Sequence, residues 1–103
     1  MKTKIYTESV VSLEKDRRKT VLESLALIED SLENGYFPHN IPENTSSAHI
    51  IYNDSPAGFF CSNYVINFFK EADPERANVS TGYHRFFSDD LKGFLVPENH
   101  TLQ

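Results

Sequence analysis

Three side chains in this sequence could carry nucleophilic chemistry. Cys61 and Ser62 stand side by side, and His84 follows Ser62 by 22 residues. A thiol or hydroxyl attacks an acyl carbon efficiently when a base such as histidine removes its proton. Ser55 and Pro56 precede the pair and favour a helix start, whose amide dipoles would stabilise a thiolate or an oxyanion. The pattern is therefore compatible with a small cysteine or serine hydrolase.

The segment 54–64 resembles the nucleophile segment of the pyroglutamyl peptidases, a family of cysteine peptidases. In that family an acidic or serine residue, an Ala-Gly pair, an aromatic residue, the catalytic cysteine and an asparagine or aspartate follow in order. The matching residues here are Asp54, Ala57, Gly58, Phe60 and Asn63. When the Ala-Gly pairs are aligned, Ser62 takes the place of the catalytic cysteine and Cys61 lies one residue early. The resemblance implies a hydrolase in which Ser62 or Cys61 attacks and His84 accepts the proton.

The same residues also have an ordinary structural interpretation. Free cysteines are among the most buried residue types, and Cys61 falls on the apolar side of a predicted helix. His84 lies beside Arg85 and Phe86, which is typical of a half-exposed strand residue. The sequence leaves both interpretations open.

The elements that must position these residues form an α/β or α+β pattern, with three to four short strands and two main helices. The first helix is predicted over about 12–34, with Ser12 as its cap and Gly35 just past its end. Apolar residues recur there every three or four positions. They are Val21, Leu25, Ile28 and Leu32. The second helix is predicted over about 56–72, because Pro56 suits a helix start and Pro74 stops a helix.

Four stretches of the sequence are predicted as strands. Residues 2–7 alternate weakly and suggest an edge strand, and the β-branched run 48–52 suggests a central one. Residues 79–87 and 93–96 are predicted as two more strands. The chain is long enough for one hydrophobic core, so we expect a single domain over 1–103 with a frayed tail at 98–103.

The charge balance bears on the kind of partner. The chain has 10 basic and 15 acidic side chains, a net charge of −5. This composition argues against a nucleic-acid partner, because binding to phosphate depends on a basic face. An acidic exterior instead attracts a basic protein and accelerates its association. No apolar run is long enough to cross a membrane, so we expect no membrane partner.

The leading functional prediction is a small acidic protein-binding module of inhibitor, immunity or anti-defence type, which occludes a basic site on a partner protein. Aromatic anchors beside carboxylates would form its surface. The predicted binding residues are Tyr36, Phe37, Tyr83, Phe86, Phe87, Asp89 and Asp90. The alternatives are a small or degenerate cysteine or serine hydrolase, and a subunit of a larger assembly such as a homo-oligomer.

Two further expectations concern cofactors and compartment. No cysteine and histidine cluster has the spacing of a zinc site, and no glycine-rich phosphate loop occurs, so we expect no cofactor and no metal. A single cysteine cannot form an internal disulfide, and the first residues do not resemble a signal peptide. We therefore expect a cytoplasmic protein.

Overall fold

One helix packs against one face of a four-stranded mixed sheet, which makes this an α+β fold. The computed structural model describes residues 1–58 and 61–94, except the side chains of residues 92 and 93. The main elements are β1 (Lys2–Tyr6), α1 (Lys15–Asn34), β2 (Ser47–Asn53), β3 (Asn63–Phe69) and β4 (Ser80–Phe87). Short 3-10 helices lie at Pro74–Arg76 and Ser88–Phe94. The predicted class, α/β or α+β in a small single domain, is confirmed as α+β.

The strands lie in the sheet in the order β1-β2-β3-β4. The parallel pair β1 and β2 is joined through α1, and β2, β3 and β4 then form an antiparallel meander. Strand β1 is therefore an edge and β2 is central, as the sequence predicts. The predicted strand at 79–87 is also confirmed, and it forms the other edge of the described sheet.

Helix α1 follows its predicted stripe. All four stripe residues are buried, with exposed fractions between 0% and 3%. Glu14, rather than the predicted Ser12, caps the first turn, because its carboxylate accepts hydrogen bonds from the backbone N–H groups of Asp16 and Arg17. Gly35 ends the helix in a left-handed conformation at φ 83°, as predicted.

The predicted helix over 56–72 is wrong, because strand β3 occupies Asn63–Phe69. Tyr64, Ile66 and Phe68 point towards α1 and are almost fully buried, and Val65 on the opposite face is only 8% exposed. The adjacent apolar residues at 64–66 and 68–69 interrupt the alternation of a half-buried strand, so the sequence resembles that of a buried helix. Pairing with β2 and β4 on its two sides satisfies its backbone groups.

The predicted strand at 93–96 is also not observed where the structure describes the chain. Gly93 and Phe94 belong to the Ser88–Phe94 helix. Phe94 is 1% exposed and joins the core between α1 and the sheet. Residues 95 and 96, and the predicted frayed tail 98–103, lie outside the described residues.

The second face of the sheet points away from α1, and we call it the open face. Its best exposed side chains are Tyr83, Arg85 and Phe87 on β4. At the β1 end the Pro74–Arg76 helix covers it, with Lys4 Nζ 2.9 Å from a Glu75 carboxylate oxygen. Within the described residues, none of the four strands contains an aspartate or glutamate. In the same part of the chain, no helix is long and apolar enough to span a membrane.

Candidate functional site

Ser62, the predicted nucleophile position, is fully buried in a group of polar side chains at the start of β3. Its Oγ accepts hydrogen bonds from Arg17 Nη2 at 2.9 Å and from the backbone N–H of Ser55 at 3.3 Å. Arg17 also pairs with the Asp54 carboxylate and donates to the Tyr52 hydroxyl at 3.2 Å. The Tyr52 hydroxyl in turn donates to Asp54 at 3.0 Å. We call these five residues the Arg17 cluster, and hydrogen bonds and one ion pair connect its members.

The predicted base, His84, lies away from this cluster. In the sheet His84 is paired with Ile66, whereas Ser62 directly precedes the first residue of β3. Four residues of strand separate the two positions, which corresponds to roughly 13 Å. The His84 ring instead stacks on His39, with 4.2 Å between the ring centroids. The structure therefore does not bring the predicted nucleophile and base together.

Cys61 lies between β2 and β3 in a 3-10 conformation, and not on the predicted α-helix over 56–72. Its side chain is exposed, so the interpretation as a buried core cysteine is wrong. Its backbone N–H donates to the Gly58 carbonyl oxygen at 3.1 Å, which closes the turn. The strand register separates Cys61 from His84 in the same way as it separates Ser62 from that ring.

His84 borders a cavity at the β4 edge of the sheet. Burial lowers the pKa of His84 from its usual 6.5, and the neighbouring His39 lowers it further, while Asp90 acts in the opposite direction. The cavity has a volume of about 380 Å³, and we call it the histidine cavity. Its lining residues are Pro38, His39, His84, Arg85, Phe86 and Asp90.

The predicted aromatic anchors divide between surface and interior. Tyr83 and Phe87 are 67% and 47% exposed, as a binding role requires. Phe86 is only 3% exposed, so its prediction as a surface anchor is wrong. Successive side chains of β4 point to opposite faces of the sheet, so Phe86 points towards the core while Arg85 and Phe87 point to the open face.

The other two predicted aromatics precede β2. Phe37 is partly buried, and its ring packs against Phe68 and Phe94 with centroid distances of 6.2 and 5.7 Å. It belongs to the edge of the core rather than to a free surface. Tyr36 is also partly buried, and its hydroxyl donates to the carboxylate of Asp30. This contact ties the loop to the end of α1.

The predicted acidic pair lies at the start of the Ser88–Phe94 helix. The Asp90 carboxylate accepts a hydrogen bond from the backbone N–H of Phe87 at 2.9 Å, which gives it a structural role.

Asp89 lines a groove of about 360 Å³ between this helix and α1, which we call the acidic groove. The lining residues are Thr20, Glu23, Ser24, Leu27, Ser88, Asp89 and Leu91.

Glu23 and the two leucines of the groove were not predicted from the sequence. A charge pattern on α1 points to Glu23. From Thr20 to Asn34 the helix contains four acidic residues and no basic one. A helix macrodipole favours cations, not anions, near its C-terminal end. This effect is confined to the last turn, where Glu33 lies, whereas Glu23 is in the middle of α1, and the acidic run itself is the signal that marks it.

Some of these helix carboxylates have partners within the chain. Glu29 and Glu33 both accept from the Thr3 hydroxyl, at 3.2 and 2.8 Å. Among the side chains that the structure describes, Glu23 and Asp89 have neither a hydrogen-bond partner nor an ion-pair partner. The acidic groove thus presents two carboxylates whose charge is not compensated by described residues.

The described residues contain no group of three or more histidine, cysteine, aspartate or glutamate side chains arranged to hold a metal ion. Comparison with known protein families, with curated proteins and with solved structures finds no match. None of the three bears on the resemblance to pyroglutamyl peptidases, which stays a prediction from residues 54–64.

Proposed function

We propose that this protein is a small protein-binding module that holds a basic segment of a partner protein in its acidic groove. The groove is lined by Glu23 and Leu27 from α1 and by Asp89 and Leu91 from the Ser88–Phe94 helix. A lysine or arginine combines a charged head with an apolar stem. The head would meet a carboxylate, and the stem would lie on the leucines.

The observation that carries this proposal is the pair of uncompensated carboxylates at one groove. Two like charges in one concave site repel each other, and a bound cation removes that repulsion. The net charge of −5 acts in the same direction, because it attracts a basic partner at long range. A rim charge of this kind mainly raises the association rate.

The biological role that we infer is occlusion of a basic site, as in an inhibitor, immunity or anti-defence protein. Such a role needs a stable surface and no reactive centre.

We place the protein in the cytoplasm, where thiols stay reduced and the exposed Cys61 would not form disulfides with other chains.

The test compares three charge-reversal variants as baits for the partner. Asp89→Lys changes one side of the groove, and Glu23→Lys with Asp89→Lys changes both. Glu43→Lys is the matched control, because Glu43 is exposed and far from the groove. The neighbouring residue Pro42 packs on Gly82, which is about 20 Å along β4 from Ser88. We expect the native chain and the control to capture the same basic protein, Asp89→Lys to capture less, and the double variant none.

The captured protein is then purified and its equilibrium binding to each variant is measured. We expect the double variant to bind about tenfold or more weakly than the control, in keeping with the cost of reversed charges at an interface. Equal affinity of the double variant and the control would contradict the proposal. Capture of no basic protein by the native chain would contradict it as well.

A further inference from the structure

The outer edge of β4 has backbone groups that point away from the sheet. The N–H of Phe87 donates to the Asp90 carboxylate at 2.9 Å, so it is directed away from β3. In an antiparallel pair this direction alternates from residue to residue. The pairing of β3 with β4 is regular from Phe87 back to Tyr83. The N–H and C=O groups of Tyr83 and Arg85 therefore also point outwards.

This stretch of edge is bounded at both ends. At one end, the Asp90 carboxylate occupies the N–H of Phe87. At the other end, Pro42 packs so closely on Gly82 that a Cβ at this glycine would lie 2.9 Å from Pro42 Cγ. The outward backbone groups between these limits can pair with about three residues of another extended chain.

The side chains of the same stretch indicate what such a chain carries on the open face. Arg85 lies between the exposed rings of Tyr83 and Phe87 on that face, opposite Val65. Within the described residues, no carboxylate pairs with Arg85, and none of the strands supplies one. A glutamate or aspartate on the incoming chain would neutralise this guanidinium.

The other side of the same edge holds the histidine cavity. Successive side chains of a strand point to opposite faces. In the incoming chain, the residue next to the one whose carboxylate pairs with Arg85 would therefore point towards this cavity of about 380 Å³. The cavity offers an apolar wall at Pro38 and Phe86 and polar groups at His39, His84 and Asp90.

We propose that the edge of β4 binds an extended acidic segment of another protein as a fifth strand. The segment pairs with the backbone of Tyr83 and Arg85, places a carboxylate on the Arg85 guanidinium, and inserts a neighbouring side chain into the histidine cavity. Addition of a strand to an exposed edge is a general mode of peptide recognition. The site is separate from the acidic groove, so either proposal can fail without the other.

The probes are short synthetic peptides with blocked ends. The acidic peptide is acetyl-Thr-Val-Glu-Val-Thr-amide, the basic one has lysine in place of glutamate, and a third keeps the glutamate side chain but is N-methylated at all five residues. Binding is followed through the backbone amide signals of the ¹⁵N-labelled full chain and through their hydrogen exchange. We expect the acidic peptide to shift and protect the Tyr83 and Arg85 amides. The N-methylated peptide should bind at least tenfold more weakly, because it lacks the backbone donors that a fifth strand needs in either direction.

A charge swap tests the role of Arg85. In Arg85→Glu, we expect the preference to reverse, so that the basic peptide binds about tenfold more tightly than the acidic one. Arg76→Glu is the matched control, since Arg76 is an exposed arginine outside the sheet, and it should keep the native preference. Equal responses of Arg85→Glu and Arg76→Glu would overturn the proposal.

Other occupants of the edge would give different signals. Protection of both amides that grows with protein concentration, without peptide, would assign the edge to a second copy of this chain. Protection present at every protein concentration would assign it to another segment of the same chain. A single-stranded oligonucleotide could shift the ring signals of Tyr83 and Phe87 while the acidic peptide shifts no amide signal. This result would assign the open face to base stacking. Each of these results, or no response to millimolar acidic peptide, would overturn the proposal.

Discussion

Two arginines in this molecule have opposite surroundings. Arg17 points inwards from α1 and contacts Tyr52, Asp54 and Ser62. Arg85 lies on the β4 edge, and within the described residues no carboxylate pairs with it. The buried serine that suggests catalysis belongs to the first environment, where its hydrogen bonds hold the fold together. Arg85 belongs to the second environment, at the surface, where its charge is available to a ligand.

The largest expected effect comes from removing the inward arginine. Arg17→Met should lower the free energy of unfolding by about 2 kcal/mol, because it removes the ion pair with Asp54 and the hydrogen bonds to Ser62 and Tyr52. The figure is moderate because the two charged side chains are 27% and 39% exposed. Urea unfolding followed by circular dichroism measures it.

Arg85→Met provides the comparison for that measurement. We expect it to change the free energy of unfolding by no more than about 0.5 kcal/mol, as for most surface substitutions. If the two methionine variants lost equal stability, the distinction between an inward structural arginine and an outward binding arginine would be wrong.

A smaller effect should separate the two adjacent candidate nucleophiles. Ser62→Ala should cost about 1 kcal/mol of stability, since it removes the acceptor of the Arg17 and Ser55 hydrogen bonds. Cys61→Ala should leave stability nearly unchanged, because the thiol is exposed. Thermal unfolding of both variants checks this pair, and a larger loss for Cys61→Ala than for Ser62→Ala would contradict it.

The smallest effect concerns pH and the histidine cavity. Because the folded protein lowers the pKa of His84 below 6.5, the neutral ring is favoured in the fold. The contribution of His84 to stability is therefore complete above pH 6.5 and declines as the pH falls towards the folded pKa. His84→Gln should show a weaker decline of unfolding free energy between pH 7.5 and 5 than the native chain does. An equal decline in both proteins would show that other groups cause it.

Local sequence patterns suffice to predict most of the fold. The apolar stripe and Gly35 predict α1, and β-branched residues predict β2, because short-range chemistry decides these elements. Strand β3 could not be predicted in this way. Its adjacent apolar residues at 64–66 and 68–69 hide the strand period, and its conformation depends on pairing with β2 and β4.

The candidate site was less accessible to prediction. Asp89 is recognisable as an exposed acidic residue, but its groove exists only because the Ser88–Phe94 helix packs beside α1 and brings Glu23 opposite to it. Phe86 and Phe87 have the same chemistry, and only the register against β3 decides which ring is buried. The same register separates Ser62 from His84, although their sequence spacing suits a catalytic pair.

The central claim is that the charge of the acidic groove recruits a basic partner. The most direct measurement is the association rate constant of that partner at several ionic strengths, by stopped-flow fluorescence. For Asp89→Lys, which changes the net charge by the same amount as Glu43→Lys, the account predicts severalfold slower association at low salt than for that control, with a weaker salt dependence. Identical rates and identical salt dependences for the two variants would contradict it.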